Sequence, residues 1–370
     1  MGTLGAFLIA VGAISAIAAI LAAALMIADA TIGDYGEVKL SINGGERELA
    51  ARGGQSLLST LKEEGIFIPS ACGGRGSCGL CKLKIESGAG EISPTESPWL
   101  DEAERAAGIR LSCQVKVKRD MVLRIPQELF SIRQYETRVL SIRDLTYDIK
   151  EVTLGLVDPP EMDIVAGKFV QFVAPAYGNS PDPVYRAYSI ASSPSRKSEI
   201  QLEIRLVPEG ICTTYVFTRL KAGDKVTING PYGDFYLRDG ERDIVFIAGG
   251  SGMAPIRSML LDMAEKGIDR KATYFFGARA MRDLFLVDEM RELERRLPNF
   301  RFVPALSSPA PEDDWKGEKG IVTEVLDRHF DSLAGHEAYL CGSPGMIDAS
   351  IKTLKGKGMP EDRIFYDKFA

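Results

Sequence analysis

The chain has 370 residues, a formal net charge of −6, 45% hydrophobic residues and 26% charged residues. That length exceeds what one ordinary hydrophobic core serves and suits two or three domains. An acidic chain offers no basic surface for nucleic-acid phosphates, so no nucleic acid is expected as a partner, and small molecules and proteins are.

From Leu4 to Ala28 the sequence reads LGAFLIAVGAISAIAAILAAALMIA, without a charged residue. As a helix it would be roughly 37 Å long against about 30 Å of bilayer hydrocarbon, so a transmembrane helix over 4–28 is expected. A cleaved signal peptide is the alternative, because Ala28-Asp29-Ala30 has the small-x-small form of a cleavage site. Against it, the basic n-region is missing and the apolar run is about twice a usual h-region.

The next segment, 35–127, is built around cysteine. EVKLSINGGERELAA alternates and turns at Asn43-Gly44-Gly45, which predicts a hairpin. QSLLSTLKEEG has helical spacing with a C-terminal glycine. Then ACGGRGSCGLC, 71–81, places Cys72, Cys78 and Cys81 on one glycine-rich loop, and Cys113 follows alone; the gaps are five, two and thirty-one residues. CKLKIES and LSCQVKVKRDMVLRI are both strand-like.

Zinc sites usually take two closely spaced pairs of ligands, and only Cys78 and Cys81 form such a pair. The two histidines, His329 and His336, are distant in sequence, which argues against a Rieske-type centre. A chain of this size is not a small disulfide-stapled domain. Three cysteines on a loop and a fourth on a distant strand suit a [2Fe-2S] cluster, although the plant-type gaps are four and two. Cys72, Cys78, Cys81 and Cys113 are therefore the candidate ligands. A small sheet with one packed helix and a cluster loop is the β-grasp ferredoxin layout.

Residues 132–240 hold short alternating runs, TRVLSI, EVTLGLV, FVQFVAP, IQLEIRLV and KVTINGPYG, separated by Gly and Pro turns, which predicts an antiparallel barrel. Within it lie, in order, RAYS (186–189), GICTT (210–214) and GPYGDF (230–235). This succession resembles the ferredoxin-NADP reductase superfamily. The resemblance implies an FAD-binding barrel in which Arg186 binds the flavin pyrophosphate, Tyr188 packs on the isoalloxazine ring and Ser189 hydrogen-bonds the nitrogen that accepts hydride. It also implies that Gly210, Thr213 and Thr214 serve the pyrophosphate. Cys212, inside that motif, is expected to be a small buried side chain.

From 241 to 370 the pattern becomes strand, turn, helix. DIVFIAGGSGMAPIRSMLLDMAEKG is an apolar strand, a glycine turn at Gly249, Gly250 and Gly252, and an amphipathic helix with Pro255 in its first turn. Such a helix N-terminus can receive a diphosphate. KATYFFGARAMRDLFLVDEM and EAYLCGSPGMIDASIKTLKGKG repeat the plan, predicting a doubly wound α/β domain for NAD. YLCGSPGM resembles the superfamily segment whose cysteine lies beside the nicotinamide, which makes Cys341 a catalytic candidate, with a buried thiol at a strand end as the alternative. The ending IFYDKFA resembles the superfamily's C-terminal aromatic that closes the flavin face, which makes Phe369 the matching candidate, with docking in the core as the alternative. GAR followed by RDLF resembles the NADH-using branch, with Arg279 and Arg282 the residues able to meet a 2′-phosphate.

The order of anchor, ferredoxin, flavin barrel and nicotinamide domain resembles the family of F subunits of sodium-translocating NADH:quinone oxidoreductases. SACGGRGSCGLCKLKIESGAGEISPTE, LSCQVKVK, IPQELFSI, FIAGGSGMAPIRS and ALSSPAPEDDWKG carry the likeness, with the five-residue cysteine gap. The resemblance implies an enzyme passing electrons from NADH through FAD to the cluster. Beyond lie other membrane subunits of a respiratory complex and, indirectly, quinone, with sodium export as the coupling to test. The expected location is the bacterial inner membrane, single-pass, with the soluble domains in the cytoplasm. One departure is visible: family members carry a long insertion before RAYS, and this chain has only AYGNSPDPVY. Two other classes stay open, a reductase feeding an oxygenase or activating enzyme, and a non-catalytic zinc- and nucleotide-binding membrane module.

Overall fold

The computed structural model describes residues 3–32, 35–178 and 180–369. Helix α1 (Thr3–Ile32) is a single 30-residue helix, and its described side chains include the exposed Phe7, Ile14, Ile20, Leu21 and Met26. Several of its other side chains lie outside the described residues. Counted over the described residues, no helix is long and apolar enough to cross a membrane.

The chain falls into two compact units, Met1–Ile68 with Gly74–Phe130, and Pro69–Gly73 with Ser131–Ala370. In the first, β1 (Glu37–Ile42) and β2 (Arg47–Arg52) form the expected hairpin, with Asn43, Gly44 and Gly45 at positive φ in its turn. Helix α2 (Leu57–Glu63) starts at Ser56, whose Oγ accepts from Ser59 N, and buries Leu57, Leu58 and Leu61 on one face. Strand β3 (Lys82–Ser87), the short helix α3 (Glu102–Ala106), β4 (Ile109–Leu111) and β5 (Met121–Arg124) complete it. The sheet order is β2-β1-β5-β3-β4, with β1 and β5 parallel.

The strand-like run 111–125 is split. After β4 the chain turns, with Gln114 N and Val115 N both donating to Leu111 O. Val115 O and Val117 O then accept from Leu57 N and Gly54 N at the start of α2. The alternating burial of Val115 and Val117 thus comes from packing beside α2 rather than from the sheet. Period-two patterning cannot tell these apart.

In the second unit, β6 (Arg133–Asp144), β7 (Ile149–Asp158), β8 (Phe169–Ala174), β9 (Val184–Ser189), β10 (Glu199–Arg205) and β11 (Lys225–Tyr232) form an antiparallel sheet. Its order is β10-β7-β6-β11-β8-β9, and an Ile190–Leu202 bridge joins the two ends into a barrel. Helix α4 (Ile211–Thr218) covers one end of the barrel core through Cys212 and Val216.

The C-terminal part alternates β12 (Asp243–Gly249), α5 (Met253–Lys266), β13 (Ala272–Ala278), α6 (Val287–Arg296), β14 (Phe300–Leu306), β15 (Glu318–Lys319), α7 (Val322–His329), β16 (His336–Gly342), α8 (Pro344–Gly356) and β17 (Ile364–Lys368). All its strand pairs are parallel, in the order β15-β14-β13-β12-β16-β17. Helices α5 and α6 pack on one face and α7 and α8 on the other. The strand order reverses between β12 and β16, which makes the crevice at their carboxyl ends the expected ligand site.

Candidate functional site

The four expected ligand cysteines are all thiols rather than disulfides; Cys72, Cys81 and Cys113 are buried and Cys78 is half-buried. Gly73, Gly74, Gly76 and Gly79, between and beside the first three, all have positive φ, so the loop curls in a way that residues with a Cβ resist. At Gly79 space also decides, because a Cβ would stand 2.5 Å from Trp99 Cε3. In the first unit, the Cys113 thiol and then burial push the Cys81 thiol above its ordinary range, which puts these two sulfurs side by side. Gln114 Nε2 lies 3.3 Å from Cys113 Sγ and also reaches Gly74 O at 3.3 Å, tying the lone cysteine to the loop.

Among the described residues no three Cys, His, Asp or Glu side chains stand close enough to hold a single metal ion. A two-iron cluster asks each iron for two thiolates, so the Cys81–Cys113 pair is the unit such chemistry needs. Cys72 belongs to the segment Pro69–Gly73 of the second unit, where Gln171 Nε2 donates to Ser70 O at 2.8 Å.

In the barrel, Arg186, Tyr188 and Ser189 all lie on β9. The Tyr188 ring meets Phe172 edge-on at 6.1 Å, and its buried hydroxyl faces the Cys212 thiol. Burial raises that hydroxyl well above the ordinary tyrosine range. An aromatic ring on the same strand as an arginine and a buried serine suits a flat, polar-edged ring such as isoalloxazine. Arg186 Nη1 donates to Tyr185 O at 2.7 Å, and Ser189 is buried.

Gly210 is the N-cap of α4 and no side chain caps that end, which leaves its first N–H groups for an anion. The Thr213 hydroxyl accepts from Val207 N at 3.1 Å and lies 3.2 Å from both Val207 O and Gly210 O, so it braces the turn. Thr214 N donates to Gly210 O. Cys212 is 2% exposed, as expected of a packed thiol.

At the crevice, Gly249, Gly250 and Gly252 form the turn from β12 into α5, and no side chain caps α5. Gly252 is required by close approach: a Cβ there would stand 2.2 Å from Cys341 O. Cys341, next to last in β16, is fully buried, and burial, then Asp367 and Glu203, push its thiol well above the ordinary range. The thiol is thus neutral and packed within the core of this domain. Phe369 follows β17, donates its N–H to Gly342 O at 2.9 Å and packs against the core that includes Cys341. Arg282 lies over the exposed Tyr147 ring at 5.0 Å.

Two features escape sequence reading. Asp367 pairs with Cys341 in the β16–β17 register, and burial raises its carboxyl to about 6. Glu203, on β10, acts electrostatically on both Cys341 and Tyr274. Asp367 could have been noticed as an acid inside an otherwise apolar terminal strand; Glu203 left no such signal, since an acid alternating with apolar residues reads as solvent-facing.

Three family models match in succession: a 2Fe-2S iron-sulfur cluster binding domain over 40–118, an oxidoreductase FAD-binding domain over 136–236 and an oxidoreductase NAD-binding domain over 246–352. Similar proteins include the F subunit of the Na(+)-translocating NADH-quinone reductase of Neisseria meningitidis serogroup C, 37% identical over 95% of this chain and 96% of that one. The corresponding protein of Actinobacillus succinogenes is 37% identical over 98% of both. Among solved structures, the Amycolatopsis cytochrome P450 reductase GcoB matches with a TM-score of 0.74 and 30% identity, covering 90% of this chain and 98% of that one. A ferredoxin reductase in carbazole 1,9a-dioxygenase matches with a TM-score of 0.69 and 26% identity, over 90% and 99%.

Proposed function

Because the chain belongs to the family of F subunits of Na(+)-translocating NADH-quinone reductases, we propose that it is the NADH-oxidising, membrane-anchored member of a respiratory complex. It is an NADH-dependent oxidoreductase that moves electrons from NADH through FAD to a [2Fe-2S] cluster. The observation that carries this is the order of cluster, FAD and NAD domains on one chain. A bound flavin exchanges electrons in pairs and singly, and so joins a hydride donor to a one-electron cluster.

Each of these partners has its own set of residues in the chain. Cys72, Cys78, Cys81 and Cys113 supply the thiolates within a ferredoxin domain spanning 35–127. Within the FAD domain, 132–240, Arg186 and the uncapped start of α4 at Gly210, with Thr213 and Thr214, take the pyrophosphate. Tyr188 packs on the ring and Ser189 donates to the hydride-accepting edge. In the NAD domain, 241–370, the Gly249–Gly252 turn receives the dinucleotide diphosphate, and Cys341 and Phe369 bound the nicotinamide. Tyr188→Ala is expected to lower FAD affinity by up to about tenfold and with it the FAD content of purified protein, since an aromatic stacking contact is worth about 0.5–1.5 kcal/mol beyond the area it buries; unchanged flavin content and reduction rate would remove Tyr188 from the site.

Residues 4–28 of α1 are the single-pass anchor in the bacterial inner membrane, with the folded domains on the cytoplasmic side, where NADH is present. Electrons leave the cluster for neighbouring membrane subunits and finally quinone, with sodium export the coupled process. One experiment tests function and sidedness together: anaerobic NADH added to sealed membrane vesicles, followed by EPR. Inverted vesicles should give the reduced [2Fe-2S] signal and right-side-out vesicles should not. The reverse pattern would overturn the sidedness, and a signal in neither would overturn the electron path.

A second reading, a reductase for an oxygenase, is favoured by the short segment AYGNSPDPVY and by the layouts of the two solved reductases. Co-purification with membrane subunits would exclude it.

A further inference from the structure

Ile200, Leu202 and Ile204 of β10 are buried in the barrel core. Glu203 therefore points to the opposite face of the strand. There α5 and the Gly250–Gly252 turn pack against β10, and Glu203 is only 3% exposed. Its nearest cation is Arg257 of α5, 6% exposed, with Nη1 3.7 Å from Glu203 Oε1.

That guanidinium is already committed. It donates twice to Glu289 of α6, at 2.6 and 3.0 Å, and once to Glu151 of β7 at 3.0 Å. Glu151 in turn takes Arg143 of β6 at 3.0 Å. Three carboxyls thus share two guanidiniums, and neither oxygen of Glu203 has a hydrogen-bond partner among the described residues. Burial raises Glu203 to about 8; Glu151 and Glu289 add to the rise, and Arg257 and Arg143 oppose it. Glu203 therefore holds a proton at neutral pH.

This proton sits beside the crevice. The antiparallel Ile190–Leu202 bridge makes Ser189 and Glu203 the next pair in register, on the same face of their strands. From the NAD side, Glu203 once ionised would act electrostatically on Cys341 of β16 and Tyr274 of β13, and the buried Tyr274 hydroxyl also lacks a partner among the described residues.

We propose that Glu203 senses the charge of the nicotinamide ring, so that the cationic ring of NAD+ is bound with release of the Glu203 proton and the neutral ring of NADH is not. The inference rests on the reading that Cys341 bounds the nicotinamide. A neutral carboxyl is indifferent to either ring; an ionised one attracts only the cation. Below pH 8 the oxidised product must displace a proton to gain that attraction, so it binds weakly and leaves readily. The released proton is taken up by the buffer. The other titrating acid near Cys341 is Asp367, centred near 6, so its contribution is largely complete before that of Glu203 begins.

The test is equilibrium binding to the FAD-loaded protein between pH 6.5 and 9, with NAD+ and with 1,4,5,6-tetrahydro-NAD, a neutral-ring analogue that cannot donate hydride. NAD+ affinity should rise with pH by up to about tenfold per unit until it levels above 8, while the analogue stays flat. Calorimetry in buffers of different ionisation enthalpy should show proton release on NAD+ binding at pH 7, a readout that needs no variant. Glu203→Gln should abolish both the slope and the release. A slope that persists in Glu203→Gln, equal slopes for the two ligands, or no proton release overturns the proposal. Cys341→Ala separates the two readings: unchanged hydride transfer and unchanged NAD+ affinity would overturn the nicotinamide placement itself, whatever the Glu203 slope shows.

Discussion

Cys78→Ala is expected to abolish the [2Fe-2S] absorbance and EPR signal, and to cut electron delivery beyond the flavin by at least about a hundredfold, because each iron needs two thiolates. Reduction of bound FAD by NADH should stay within about twofold of the parent, since hydride transfer needs only the flavin and dinucleotide sites. The separation follows from the chain: Cys78 lies on the glycine loop of the first unit, whereas Arg186, Tyr188, Ser189 and the Gly249–Gly252 turn all belong to the second. Rapid mixing with NADH, followed at flavin wavelengths, reads one half of the result, and EPR of the NADH-reduced protein reads the other. A variant that keeps the cluster signal would remove Cys78 from the ligand set. Parent protein without flavin or iron-sulfur absorbance would favour the zinc and nucleotide-binding alternative.

Gly252→Ala should have the opposite profile. The added Cβ would lie 2.2 Å from Cys341 O, 2.7 Å from Cys341 C and 3.1 Å from Gly342 N, all backbone atoms of β16. Backbone cannot swing aside as a long side chain can, so the β12–α5 turn and the end of β16 must separate. Overpacking of this kind costs about 1–3 kcal/mol, and a misplacement of about 1 Å at a hydride site can cost about a hundredfold in rate. Stopped-flow reduction of FAD by NADH should therefore slow by about two orders of magnitude. The cluster signal should remain after reduction with dithionite. Normal NADH kinetics in a folded Gly252→Ala protein would mean that the crevice at β12 and β16 is not the nicotinamide site.

Much of this protein is legible in its sequence, and the physical reason is that its cofactor motifs are local. A cluster loop needs glycines and cysteines within a few residues of each other, and a diphosphate site needs a strand, a tight turn and a helix start in immediate succession. The hairpin at Asn43-Gly44-Gly45, the barrel strands and the βα repeat from Asp243 follow likewise from turn chemistry and from the change of period from two to 3.6. The run 111–125 departs from its strand-like pattern because alternating burial beside a helix start looks the same in sequence as alternating burial in a sheet.

What only the tertiary structure decided are relations between segments far apart in sequence. It set Gly252 against Cys341, and Asp367 against Cys341 across a strand pair. It also placed Arg257 among Glu151, Glu203 and Glu289. Glu203 shows the limit most plainly. By sequence it is an acid on the outward face of a strand, and water would be its expected neighbour. The packing of α5 on β10 removes that water and leaves the carboxyl among more acids than there are cations to share. A charge excess of that kind belongs to the three-dimensional neighbourhood, so no spacing within the chain could have disclosed it.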